Sequence, residues 1–425
     1  MNIVRFPPIA YWDALVKRPV ESNDSIEATV SPILSAIKNN GNEAVVSFIE
    51  KFENRSVESF DVDMKIIENA EMHISSELKA AIDVAYKNIT TFHESQKETI
   101  TKVDTMPGVT CWRKSVPIEK VGIYVPGGSA PLFSTVLMLG VPAQIAGCKE
   151  VVLCSPSDHP AIFYAAKLVG VTKVFRVGGA HAIAAMAYGT DTVPKCYKIF
   201  GPGNQYVTAA KMLVSKEGIP IDMPAGPSEV AIYADDSADP VFVAADLLSQ
   251  AEHGIDSQVI MATTSEKLIE LVQVELAKQL EALPRKEIAE ISLNNSTFIL
   301  FRSTERCIDF LNEYAAEHLI LSCDNAEDIA EQITNAGSIF LGHLTPESCG
   351  DYASGTNHTL PTNGYALMYS GVSLDSFVKK ITLQRITAEG LNNLGGHVEV
   401  MAENEGLYGH KNAVTVRLEK LASES

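Results

Sequence analysis

Positive charge is scarce in this chain: 34 lysines and arginines face 53 aspartates and glutamates over 425 residues, for a formal charge of -19. A surface so acidic is repelled by phosphate backbones and anionic lipid, so neither nucleic acid nor a membrane is expected as a partner. Long apolar runs are missing as well. The longest, Leu132 to Gly147, contains Ser134, Thr135, Pro142 and Gln144 and falls short of the roughly 20 residues a membrane helix needs. The opening Met-Asn-Ile-Val-Arg-Phe-Pro-Pro lacks the basic flank, apolar core and cleavage site of a secretory leader. The seven cysteines are odd in number and never spaced Cys-x-x-Cys, which points to reduced thiols in a cytoplasmic protein. Cys148 and Cys154, in or beside a buried strand, read first as packing residues, with reactive chemistry the alternative. Two signatures are also absent: Gly-x-Gly-x-x-Gly followed by an acidic residue, and the strand-elbow-helix context of Gly-x-Ser-x-Gly.

What is present is an alternation. After Pro117, short β-branched runs at 121–125, 151–154, 174–177 and 198–200 alternate with helical periods at 132–147, 160–169, 180–188 and 204–216. A second set follows, with strands at 229–233, 258–262, 298–301, 319–322 and 338–341 separated by helices at 239–254, 266–283, 304–317 and 326–336. Such alternation is the pattern of doubly wound parallel sheets. The fold class is therefore α/β, with two doubly wound, incomplete Rossmann-like lobes, a helical N-terminal arm and a helical C-terminal tail. The expected division is an arm over 1–20, a large α/β domain over 21–119 plus 230–372, a nucleotide-binding α/β domain over 120–229, and a tail over 373–425. That tail is too short to bury a core of its own and is expected to dock on another lobe or another subunit.

The best-marked helix runs from Asp239, a good N-cap, through Pro240 to a stop at Gly254. It turns Gln250 and His253 the same way, and an amide oxygen and an imidazole nitrogen so placed can hold two corners of a divalent metal. The bland alternative is an ordinary polar flank. Glycines follow three strands, at Tyr124-Val-Pro-Gly127-Gly128-Ser129, Val177-Gly178-Gly179-Ala180-His181 and Phe200-Gly201-Pro202-Gly203-Asn204. They suit either tight turns or the approach of a nucleotide phosphate to a helix N-terminus. Ser228, in Pro224-Ala-Gly-Pro-Ser-Glu229, reads as a binding hydroxyl. Glu317-His318 places a carboxylate and an imidazole at a sheet rim, where both can move protons, unless they are only a surface acid and a capping histidine. Asp351, Asn357 and His358 fall within one stretch of small polar residues, and Glu405 and His410 lie in the tail. Gln250, His253, Asp351 and His410 together would make a mixed nitrogen and oxygen site for zinc.

Taken in order, these motifs resemble the L-histidinol dehydrogenase family over nearly the whole chain. The resemblance rests on the Tyr124, Phe200-Gly-Pro-Gly-Asn, Asp222-Met-Pro-Ala-Gly-Pro-Ser-Glu, Leu248-Ser-Gln-Ala-Glu-His-Gly, Glu317-His-Leu, Gly350-Asp-Tyr-Ala-Ser-Gly-Thr-Asn-His and His410-Lys-Asn-Ala-Val stretches. It implies a four-electron oxidation of L-histidinol through the aldehyde to L-histidine, with one zinc per subunit and NAD. It makes Gln250, His253, Asp351 and His410 the zinc ligands and Glu317 and His318 the general bases. The same residues as the ligands, with His318, contact substrate, as do Ser228, His358 and Glu405. Tyr124, His181 and Asn204 match NAD contacts, although His181 stands where the family usually has glutamine. The family is a homodimer whose tails exchange, so Glu405 and His410 would complete the other subunit's site. Three rivals are a zinc- and NAD-dependent dehydrogenase of a sulfonated diol, a zinc hydrolase with Glu317 activating water, and a non-enzymatic metal-binding module. Glu405, where the first would need a cation, favours histidinol.

Overall fold

The structure, a computed structural model, describes residues 1–19, 23–127 and 131–424, so Gly128 and Ser129 of the first glycine turn lie outside the described residues. The chain runs through strands β1 (Asn2–Arg5), β2 (Lys102–Met106), β3 (Val109–Pro117), β4 (Lys120–Tyr124), β5 (Glu150–Cys154), β6 (Lys173–Phe175) and β7 (Lys198–Phe200). It continues through β8 (Glu229–Ala234), β9 (Gln258–Thr263), β10 (Thr297–Leu300), β11 (His318–Ser322), β12 (Ser338–Leu341) and β13 (Val378–Ile386). Two compact units result, Met1–Gln96 with Ile118–Phe377, and Lys97–Pro117 with Val378–Ser425.

The first unit holds two parallel sheets, ordered β6-β5-β4-β7 and β1-β10-β9-β8-β11-β12. Their central strands are apolar on both faces because helices cover both, which is why they read as unbroken β-branched runs. On the four-stranded sheet, helices Ser76–Glu94, Phe133–Ala146 and Pro160–Leu168 fill one face. Asn23–Glu53, Gly179–Tyr188 and Gln205–Lys216 fill the other. The longest apolar run thus becomes a core helix, buried without a break from Ser134 to Ala143. Each buried Leu, Val or Met there contributes about 1.5–3 kcal/mol. The six-stranded sheet carries Pro240–Ala251, Glu266–Ala282 and Lys286–Asn294 on one face and Thr304–Tyr314 with Trp12 on the other. No helix among the described residues is long and apolar enough to cross a membrane.

Three boundaries differ from the sequence-based expectation. Residues 23–94 pack on the four-stranded sheet, not with 230–372, because the apolar stripe of Ile26, Val30, Ile37, Val45 and Ile49 meets the helices that follow β6 and β7. The arm contributes an edge strand, β1, and Arg18. The stretch after 372 opens with a nine-residue strand, β13, antiparallel to β3, which with β2 completes a three-stranded sheet in the second unit. Lysines, arginines and threonines interrupt both strands, so neither shows an apolar run or clean alternation. Helices Ala388–Asn404 and Tyr408–Glu424 of the same unit pair with each other, Gly395 lying against Val414 and Leu418.

Arg18 ties the arm to the sheet. Its guanidinium donates to both carboxylate oxygens of Glu229, at 2.7 and 2.8 Å, and to the Tyr314 carbonyl at 2.6 Å. It also lies 3.7 Å above the Tyr314 ring. Both charges of the pair are buried. Arg18→Ala strands the Glu229 carboxylate and is expected to cost about 3–5 kcal/mol in denaturant unfolding, whereas a loss under about 1 kcal/mol would mark the pair as unimportant.

Candidate active site

Helix Thr304–Tyr314 ends on Ala315 in the left-handed region (φ 51°), an unusual conformation for a residue with a Cβ. The tight turn delivers Glu317 and His318 to the amino end of β11, both almost wholly buried. There the Glu229 backbone N–H, at the start of β8, donates to Glu317 Oε2 at 3.1 Å. Glu317 Oε2 lies 3.7 Å from His318 Nδ1. His318 Nε2 faces Asp351 Oδ1 at 3.2 Å. Ser228 immediately precedes β8 in the same corner.

Asp351 sits on a short helix, Glu347–Tyr352, that the sequence presents only as a polar loop. That helix packs on Pro240–Ala251, which carries Gln250 in its last turn. The latter ends three residues before the expected glycine stop, with Glu252 as its cap, so His253 lies in the turn beyond. His253 Nδ1 donates to the Ser249 carbonyl at 2.9 Å, which leaves Nε2 as an acceptor for a metal. Gln250 is 1% exposed, and neither its amide oxygen nor its nitrogen has a hydrogen-bond partner. A buried amide so left costs about 1–3 kcal/mol. His358 Nδ1 donates to the Asp351 carbonyl at 2.8 Å, and Nε2 faces the Thr135 hydroxyl at 3.1 Å. Thr135 stands in the first turn of the helix after the Tyr124 turn, so it links the two sheets' elements at this corner.

Glu347 is the residue sequence reasoning missed. One donor atom each of His318, Glu347 and Asp351 lies within 4.8 Å of the other two. The Glu347 side chain is buried and its Oε2 has no partner. Its only signal was the i, i+4 spacing to Asp351, invisible while the stretch was read as loop. Burial raises Glu317 and Glu347 to about 8, and Asp246, one turn before Gln250, to about 7. Burial works to lower His318, but the carboxylates of Glu347, Glu317 and Asp351 outweigh it and lift the imidazole to about 10. Burial likewise works to raise Asp351, and the hydrogen bond and charge of His318 outweigh that and hold it low. Carboxylates crowded around one imidazole are what a divalent cation neutralises, and the helix packed against Glu347–Tyr352, with the turn that follows it, offers the unsatisfied amide of Gln250 and the free ring nitrogen of His253. The donor set fits zinc.

Behind the site, His93 is fully buried, with Nδ1 donating to Gln96 Oε1 at 3.0 Å and Nε2 3.4 Å from the Asn357 amide. Asn357 therefore has a fastening role, donating also to the Met138 carbonyl at 2.6 Å. Burial holds His93 below the ordinary 6.5. A histidine with a depressed folded pKa favours the fold above its unfolded pKa, and that contribution is lost as pH falls through the folded value. His93→Gln is thus expected to flatten the fall in stability below about pH 6.5 in unfolding titrations; an unchanged acid limb would contradict the assignment.

The glycine turns lie elsewhere, at the carboxyl ends of β4, β6 and β7. Tyr124 is buried and its hydroxyl accepts from the Gly179 N–H at 3.0 Å. Asn204 is exposed and caps the next helix, its side-chain oxygen accepting from Tyr206 and Val207. Gly201 (φ 131°) presses on the Tyr124 carbonyl, and its N–H and C=O are fastened by Asp222 and Lys211, a buried ion pair. Gly127 and Gly178 both lie against Pro156. His181 is 2% exposed, bonded through Nε2 to Glu53 at 3.0 Å and flanked by Phe48 and Phe52. Glu53 also accepts from the Gly178 N–H. His181 therefore braces the turn after β6 through its Nε2. Burial pushes the Cys148 thiol up to about 12 and Cys154 well above its usual value, so both are packing residues. Glu405 and His410 lie exposed in the second unit, separate from this cluster in the chain's own division.

A family model described as histidinol dehydrogenase matches residues 16–418. The chain belongs to the histidinol dehydrogenase family. The histidinol dehydrogenase of Bacteroides thetaiotaomicron is 58% identical over 426 residues, which cover 99% of this chain and 100% of that one. The chloroplastic histidinol dehydrogenase of Arabidopsis thaliana is 52% identical over 97% of this chain and 90% of its own. The crystal structure of histidinol dehydrogenase from Elizabethkingia anophelis superposes with a TM-score of 0.97 at 52% identity, covering 99% of both chains. The resemblance read from the motifs and the α/β architecture are both borne out, and the chain is an oxidoreductase. Within histidinol dehydrogenase relatives of this length, the match runs through both units.

Proposed function

We propose that the protein oxidises L-histidinol by way of the aldehyde to L-histidine, the end of histidine biosynthesis, using NAD and one zinc per subunit. The observation that carries the reading is Gln250, buried with both amide atoms unsatisfied on the helix that packs against the one bearing Asp351. Gln250, His253 and Asp351, with His410 from a second copy of the chain, would hold the ion, which would supply an orienting template for the substrate, and NAD would supply the hydride acceptor. With a bound cation offsetting the carboxylate charge that otherwise holds the ring protonated, neutral His318 removes the alcohol proton during the first hydride loss. Glu317, held by the Glu229 N–H, activates water to attack the aldehyde, and His318 takes the proton again as the hydrate is oxidised. Ser228, His358 and Glu405 of the second copy contact the substrate, and Tyr124, His181 and Asn204 contact NAD. Seven free thiols fit a cytoplasmic protein, which we take to be a homodimer whose tails exchange. Incubation with L-histidinol, NAD and zinc should raise the near-ultraviolet absorbance of reduced nicotinamide. Hydrolytic turnover without that rise would overturn the reading in favour of a zinc hydrolase.

A further inference from the structure

The mechanism above gives Glu347 no part, yet its carboxylate is 1% exposed, has an oxygen without a partner, and lies within 4.8 Å of a ring nitrogen of His318 and a carboxylate oxygen of Asp351. A buried carboxylate oxygen left without a donor is costly, and a folded protein keeps one where a second arrangement uses it. The neighbouring imidazole has the complementary need. Among the described residues, the only hydrogen-bond acceptor His318 faces within 3.5 Å is Asp351, and its Nδ1 has no partner at all. Glu317 Oε2 stands 3.7 Å from that nitrogen but already accepts the Glu229 N–H.

Resting on the proposed function, in which Asp351 gives its carboxylate to the metal, we propose that Glu347 is the positioning residue of His318, accepting its ring N–H when Asp351 turns away and holding the imidazole toward the substrate alcohol. The helix Glu347–Tyr352 makes the exchange possible. It places the two carboxylates one turn apart on one face, so either can reach the ring with little movement of backbone. A base whose ring is steered by a carboxylate is the usual arrangement where an imidazole takes a proton from a hydroxyl. Glu347 acts through His318 and does not itself touch the reacting carbon.

The test uses the full-length, zinc-loaded protein with L-histidinol and NAD. Glu347→Ala is expected to lower kcat by about 10- to 100-fold at unchanged KM and unchanged zinc per subunit. Added formate, a small carboxylate able to occupy the vacated space, should restore part of that kcat and leave the wild type unaffected. Wild-type kcat in the variant, zinc lost in step with kcat, or no response to formate would each overturn the proposal, the second by making Glu347 a metal ligand. Should Glu347→Ala fail to fold, Glu347→Leu keeps most of the volume without an acceptor and carries the same expectation of a kcat at least about tenfold lower with KM and zinc unchanged. A wild type that does not oxidise L-histidinol would instead bring down the underlying reading, and this inference with it.

Discussion

His318→Gln is expected to lower kcat by about 10²- to 10⁴-fold, because the amide cannot take the alcohol proton in either oxidation. Bound zinc should stay, since His318 is not among the proposed ligands. Glu317→Gln is expected to fail differently. The first hydride loss needs only the imidazole, so rapid mixing should show reduced nucleotide formed in a first turnover, with the aldehyde stage persisting because no carboxylate activates water. The geometry supports that division of labour: Glu317 is held from the backbone of β8, while His318 is held only by side chains and can turn. Single-turnover absorbance with each variant checks it. Equal loss of both oxidations in Glu317→Gln, or wild-type turnover in either variant, would refute the assigned roles.

Gln250→Leu should separate stability from function. In the metal-free protein it removes a buried amide that bonds to nothing, and it is expected to stabilise the fold by about 1–3 kcal/mol in denaturant unfolding. The same change deletes a ligand, so zinc affinity and turnover should fall together. Chelation of the wild type should likewise abolish turnover while leaving the two parallel sheets intact, because four apolar clusters on the sheet faces hold them together without the ion. If Gln250→Leu destabilised the metal-free protein and kept its zinc, the amide would be a packing group and the ligand assignment wrong.

The elements that were legible in the sequence are those whose burial is uniform. Most of strands β4 to β12 were legible because parallel strands covered on both faces leave short apolar, β-branched runs between turn residues. Strands β3 and β13 were not legible, since their half-exposed, lysine- and arginine-rich faces carry no run. In the site, Glu317-His318 and Asp351 were found as chemistry-bearing types beside strands. Their true place is the amino edge of the six-stranded sheet, which only the turn at Ala315 explains. Glu347 escaped because its meaning depends on a helix too short to show a period. The bracing bond of His181 was not legible either, because its partner Glu53 is more than a hundred residues away in sequence.

The measurement that tests the central claim most directly is the ratio of reduced nucleotide to L-histidine formed by the zinc-loaded protein acting on L-histidinol. Two reduced nucleotides for each histidine, with both products lost on chelation, is the predicted result. A ratio of one with the aldehyde as end product, or the same yield from verified metal-free protein, would contradict it.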